Sequence, residues 1–253
     1  MMSKLPRAIL FDMDDTILAV SGSARVVWTR IAEEFAAALA PLSPAEIVTA
    51  IEVQSQRLWN DNAWNREWRV RVGEARRHIV ASAFTMLGAA GKTAPAPDIG
   101  NTMADRFSLI RDEELTVFPG AHETLDLLKQ LGVRLALITN GAAEPQRAKV
   151  IRFALAERFD HVQIEGEHGF GKPEERAYTH AMDVLGVGPQ ATWMVGDNLE
   201  WEVAAPQRLG IRAIWHDGYG QGLPPDAPAR PDRIIRSLSE LLALTSIKTE
   251  TMR

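Results

Sequence analysis

Cysteine is absent from this chain of 253 residues. That excludes disulfides, thiolate zinc sites and a cysteine nucleophile. Positive charge is also short. The formal net charge is −5, so nothing marks the chain as a general binder of polyanions such as nucleic acid. No apolar run approaches the length needed to span a membrane. The first apolar run is short and stops at Asp12, unlike a signal peptide. A cytoplasmic protein without a membrane or nucleic-acid partner is expected, and either a monomer or a homodimer fits. The histidines at 78, 122, 161, 168, 180 and 216 show no metal-ligand spacing. There is no Gly-x-Ser-x-Gly, which argues against a serine hydrolase, and no internal repeat. The length suits one or two domains with a sizeable core.

Acid is present where it is costly. Ala8 to Phe11 reads as a buried strand, and it runs straight into Asp12-Met-Asp14-Asp15-Thr16. Two carboxylates at i and i+2 repel each other, and a cation is the usual remedy. Open α/β sheets place ligands just beyond the carboxyl ends of their strands. Alone, the run could equally be an acidic loop. Three later segments have a similar form: Val133 to Ile138 before Thr139-Asn140-Gly141, Val162 to Ile164 before Gly169-Phe-Gly171-Lys172-Pro173, and Ala191 to Val195 before Gly196-Asp197-Asn198. Together they could bring acids, a hydroxyl, backbone N–H donors and a lysine to one sheet edge.

These four motifs, in this order, resemble those of the haloacid dehalogenase-like hydrolases, in the phosphatase branch whose helical cap is inserted after the first motif. The matching residues are Asp12-Met-Asp14-Asp15-Thr16, Thr139, Lys172 and Gly196-Asp197-Asn-Leu-Glu-Trp-Glu202. The resemblance spans roughly residues 7 to 236. It departs at Glu202, where an aspartate is expected, and Glu200 lies close enough to compete for that position.

The pattern along the chain agrees. Residues 19 to 115 show no clear strand and read as helices over Val26 to Leu39, Pro44 to Trp59, Arg66 to Leu87 and Asp98 to Glu114. Ser43, Pro44 and Glu46 form a capping-box pattern. From Val117 onward helices and strands alternate, which argues a parallel sheet with helices on both faces. The expected fold is therefore α/β. Residues 1–18 and 116–253 form a Rossmann-like core, and 19–115 form an inserted α-helical cap.

The resemblance implies a mechanism. Asp12 attacks phosphorus and forms an aspartyl-phosphate. Asp14 protonates the leaving alkoxide, then takes a proton from the hydrolytic water. Crowding by neighbouring carboxylates is expected to help Asp14 begin protonated. Thr139 and the N–H groups of Asn140 and Gly141 hold phosphoryl oxygens, and Lys172 adds positive charge. Mg²⁺ is expected on Asp12, Asp197 and the backbone carbonyl of Asp14, because the acids and a phosphate monoester would otherwise repel. The implied activity is a Mg²⁺-dependent phosphatase for a small phosphorylated metabolite of sugar-phosphate or nucleotide type. A phosphomutase, phosphonatase or dehalogenase on the same fold stays open, as does a non-catalytic binding protein.

Several residues have plainer readings. Asp15 shapes the turn, Thr16 bonds the loop backbone, and Asn198 caps a helix. Gly91-Lys92-Thr93 lacks the first glycine of a P-loop, since Met86 occupies that position. The run Gly218-Tyr-Gly220-Gln-Gly222 is blocked from opening a helix by Pro224-Pro225. Trp28, Trp59, Trp64 and Trp68 fall in the helical stretch and are expected to pack its core rather than stack on a ligand.

Overall fold

The structure, a computed structural model, describes residues 5–20, 22 and 24–243. The polar tail expected from Thr245 lies outside them. The chain divides into two compact units, Met1–Ala19 with Thr116–Arg253, and Val20–Leu115.

The first unit is built on a parallel sheet. Its strands are β1 (Ala8–Phe11), β4 (Arg134–Thr139), β5 (His161–Ile164), β6 (Thr192–Gly196), β7 (Arg212–His216) and β8 (Arg233–Ile235), in the order β5-β4-β1-β6-β7-β8. This is a Rossmann-like fold. β1 is central, with Phe11 in register beside Leu137 and Val195. It is buried on both faces, which explains its unbroken apolar run. Ala8 and Leu10 pack towards Tyr178, Ala181 and Leu185 of one covering helix. Phe11 faces the other way, by the period of a strand, and meets Phe159 edge-on at 6.1 Å. A further pair of short strands, β2 (Leu18–Ala19) and β3 (Thr116–Val117), runs antiparallel. They lie at the two points where the chain leaves and re-enters this unit. Two residues each is too short to read from alternation.

The second unit is helical. It comprises α1 (Ala24–Glu34), α2 (Ala36–Leu39), α3 (Pro44–Trp59), α4 (Asn62–Trp68), α5 (Val72–Ala89) and α6 (Pro97–Glu113). Ser43 caps α3 with Glu46 in a complete capping box. Its core joins Val27, Ile31, Ile47, Ile51, Val80 and Phe107, and Trp28 stacks on Phe107 at 4.0 Å. The single helix expected over Arg66 to Leu87 is in fact two, broken at Arg69–Arg71. The break lets Trp68 fold back against His78, with rings 5.3 Å apart. Ten residues of continuous helix would hold those positions about 15 Å apart. Trp64 and Trp68 share a face and stack at 5.6 Å.

The helices of the first unit are α7 (Ala121–Gln130), α8 (Ala143–Arg152), α9 (Glu165–His168), α10 (Glu175–Leu185), α11 (Ala205–Arg208) and α12 (Glu240–Ala243). Among the described residues no helix is long and apolar enough to cross a membrane.

Candidate active site

Parallel strands bring their carboxyl ends to one side, and the polar ends of β1, β4 and β6 meet there. Asp12, Asp14, Thr139, Asn140 and Asp197 line a cavity of about 190 Å³, with Trp201 and Glu202 also on its wall. Asp12 is fixed at the end of β1 by its N–H, which donates to the Val195 carbonyl at 2.9 Å.

Lys172 is not on that wall. It is fully buried at 0% exposure, and its Nζ lies 2.5 Å from Asp12 Oδ1 and 2.8 Å from Glu202 Oε1. Burial alone would strip its proton, but Asp12 and Glu202 outweigh that and hold it above the ordinary lysine value. Burial raises Asp12 in turn, against the pull of Lys172, and pushes Glu202 up to about 7. Asn140 positions the lysine. Its Nδ2 donates to the Lys172 carbonyl at 2.7 Å, and its Oδ1 accepts the Lys172 N–H at 2.9 Å.

The two candidate glutamates separate cleanly. Glu200 pairs with Arg208 on the surface at 3.0 Å, while Glu202 turns inward. Asn198 starts the turn that does this, its Oδ1 accepting the N–H groups of Glu200 and Trp201 at 3.0 Å each. Leu199–Ala204 is a wide turn of π type, a form frequent at functional sites. Glu202 then reaches back to accept the Asn198 N–H at 2.7 Å. It needs Gly196 to do so. A Cβ on Gly196 would sit 2.0 Å from Glu202 Cγ.

Asp14 has partners that its own motif does not reveal. Both its oxygens meet Lys149 Nζ, at 2.8 and 2.9 Å, and Gln146 Nε2 lies 2.9 Å from Oδ2. Gln146 also donates to Thr139 Oγ1 at 2.7 Å and to the Asn140 carbonyl at 2.9 Å. Crowding by carboxylates was the expected influence on Asp14, and the structure instead gives it an ammonium. Residues 146 and 149 share a face of α8, the helix that follows Thr139. That spacing was the available signal.

Three smaller expectations also change or hold. Gly141 stands off the cavity wall, and its N–H is taken by Glu165 Oε2 at 3.0 Å. Thr16 is fully buried, with no described partner for its hydroxyl, so it does not bond the loop backbone. Asp15 does shape the turn. It adopts φ 62°, its carbonyl accepts from His216 Nδ1 at 3.0 Å, and its carboxylate accepts from Tyr219 at 2.7 Å.

The donor set fits a hard cation. Asp12, Asp14 and Asp197 offer oxygen only, around one cavity. Asp197 forms no ion pair among the described residues. Burial, then the charges of Glu202, Asp12 and Asp15, drives its carboxyl well above the usual range. Five acids, Asp15 among them, line this cavity, and two lysines pair with them. A divalent cation would balance them and relieve Asp197, and oxygen-only sites suit Mg²⁺.

Comparison with known proteins gives a consistent picture. The haloacid dehalogenase-like hydrolase family matches residues 6–210. A phosphoserine phosphatase of Thermus thermophilus is 37% identical over 147 residues, covering 58% of this chain and 57% of its own length. The chain thus spans little more than half of that relative. A glyceraldehyde 3-phosphate phosphatase of Methanothermobacter thermautotrophicus is 28% identical over 82% of this chain and 84% of its own. Among solved structures, one from Bacillus subtilis described as a HAD-hydrolase bound to magnesium aligns with TM-score 0.71 and 22% identity, over 96% of this chain and 100% of that one. A 2-haloacid dehalogenase from Pseudomonas syringae aligns with TM-score 0.58 and 26% identity, over 95% and 98%.

Gly196→Ala tests the contact geometry. The added methyl has no room beside Glu202, so the variant should lose about 1–3 kcal/mol of stability through overpacking. Urea unfolding measures this. Wild-type stability would show that Glu202 does not need this approach to reach Lys172.

Proposed function

The chain belongs to the haloacid dehalogenase-like hydrolases, and from that premise we propose that it is a Mg²⁺-dependent phosphatase of small phosphomonoesters. The observation that carries this reading is the acid pair Asp12 and Asp14 on one cavity, with Asp197 beside them and Lys172 behind Asp12. The phosphatase names of the relatives support it. A dehalogenase also appears among the structural neighbours, but the family resemblance implies that dehalogenases lack the second acid, and Asp14 is present here.

Asp12 is the nucleophile. Lys172 engages Oδ1, leaving Oδ2 to attack phosphorus. As that bond forms, the bond to the substrate's ester oxygen breaks, and Asp14 gives the leaving alkoxide its proton. Asp14 then takes a proton from a water that attacks the aspartyl-phosphate, which returns Asp12 and releases phosphate. Asp14 must turn away from Lys149 to carry the first proton. The ion pair with Lys149 suits the second step, where Asp14 acts as base. Thr139 and the N–H of Asn140 hold phosphoryl oxygens. Gly141 can join them only by giving up Glu165. Mg²⁺, held by Asp12, Asp197 and the Asp14 carbonyl, would neutralise charge on the transferring group. The helical unit is read as the cap that selects among sugar phosphates, nucleotides and similar esters.

Asp12→Asn should remove turnover of p-nitrophenyl phosphate by several orders of magnitude while the protein stays folded. Near wild-type rates from a pure, non-deamidated variant would sink the assignment. Wild-type turnover should also vanish on exhaustive chelation and return with Mg²⁺. Full activity without a divalent ion would end the metal role.

Lys149→Met should lower kcat by roughly 10- to 100-fold with little change in KM, a part of the roughly 10²–10⁴-fold that general acid–base catalysis supplies. Phosphorylated enzyme should accumulate in rapid-quench experiments, because the second step loses its oriented base. An unchanged kcat would reduce Lys149 to a packing role.

A further inference from the structure

Three histidines that lie far apart in sequence meet at the outer edge of the sheet. His161 opens the edge strand β5, His168 ends α9, and His180 lies on α10. One ring nitrogen from each falls within 4.8 Å of the other two. Their rings pack together at 5.4 to 5.9 Å. We propose that His161, His168 and His180 form a binding site for a zinc-type divalent cation, separate from the carboxylate cavity.

The hydrogen bonds around the rings set their tautomers. His168 Nδ1 lies 3.1 Å from the Ile164 carbonyl. A carbonyl only accepts, so Nδ1 carries the hydrogen and Nε2 keeps its lone pair. The argument at His180 has one more link. Gln163 Nε2 donates to the Ala177 carbonyl at 2.9 Å, which turns Gln163 Oε1 towards His180 Nδ1, also at 2.9 Å. That Nδ1 must donate too, and its Nε2 is again free as a base. Metal-bound histidines are held in just this way, with the second nitrogen donating to a carbonyl or amide oxygen. His161 completes the set. Its Nε2 is buried and has no described hydrogen-bond partner. An orphaned buried nitrogen is costly, and a metal ion would satisfy it.

Chemistry and charge agree with zinc. Imidazole nitrogens favour zinc, nickel and copper over magnesium, and oxygen-only sites do the reverse. The two sites would therefore sort their ions. Around tetrahedral zinc, with bonds of about 2.0–2.1 Å, ligand nitrogens stand roughly 3.3 Å apart, so modest ring rotations close the site. A neutral ring is the form that binds metal. All three residues are part-exposed, which gives an ion access. Glu167, beside His168, is already paired with Arg147, so the three imidazoles are the ligands and a solvent molecule takes the fourth position. Bound metal would tie β5 to α10 across residues 169–173, the segment that carries Lys172.

Calorimetric titration of the full chain with Zn²⁺, in a large excess of Mg²⁺, tests this. One equivalent should bind saturably and raise the melting temperature, since a ligand bound only to the folded state stabilises it. His168→Ala and His180→Ala should each weaken binding at least about tenfold, a loss of about 1.4 kcal/mol. Gln163→Leu should weaken it less, by freeing the His180 ring. Asp197→Asn should leave the affinity unchanged. Co²⁺ in place of zinc should give the visible absorption of a tetrahedral site, which reads the ligands even if one variant folds poorly. Absence of a saturable equivalent overturns the proposal. So does zinc affinity that survives loss of His168 and His180, or that disappears with Asp197.

Discussion

One buried ammonium organises the sheet-bearing unit of this protein. Lys172 has no exposed surface, yet it stays charged because Asp12 and Glu202 meet it directly. The three partners come from different places: the end of the first strand, the loop before α10, and the turn after the sixth strand. Neighbouring residues hold two of them in place. Asn140 grips the lysine backbone, Gly196 leaves room for Glu202, and Asn198 starts the turn that aims it. Removing one member of such a cluster strands a charge in a poor solvent, typically at a cost of 3–5 kcal/mol. The cluster therefore couples the folding of the strand ends to the placement of Asp12.

The acids that surround it run against stability. Asp197 is buried among like charges, and the pull of Lys172 does not outweigh them. A polypeptide optimised only to fold would not retain that arrangement. Strain of this kind is common where a site is shaped for a ligand that supplies the missing charge. Asp14 is treated differently. Lys149 and Gln146 hold both of its oxygens, so one member of the acid pair is anchored from α8 and the other from beneath by Lys172.

The sheet was legible because its strands are buried on both faces and end in polar residues, and both are local properties. Alternation of helix and strand after Val117 then gave the parallel order. What escaped was set by packing between distant segments. Glu200 and Glu202 look alike in sequence, and only the width of the turn after Asn198 decides which one points inward. Gln146 and Lys149 sit on an ordinary helical face whose partner lies more than a hundred residues earlier. The break at Arg69–Arg71 follows from Trp68 finding His78, which helical periodicity cannot show. The three clustered histidines come from a strand and two different helices, so no linear spacing marks them.

The short pairing of Leu18–Ala19 with Thr116–Val117 has an evolutionary consequence. It clamps the exit and return of the chain side by side, so everything between them is a single excursion from the sheet's point of view. Loop-closure cost grows only slowly with length. The excursion can therefore be lengthened, shortened or replaced wholesale, and the strand ends would keep their register. Lineages sharing this sheet could trade that one segment while the strand ends and the acids they carry are inherited unchanged.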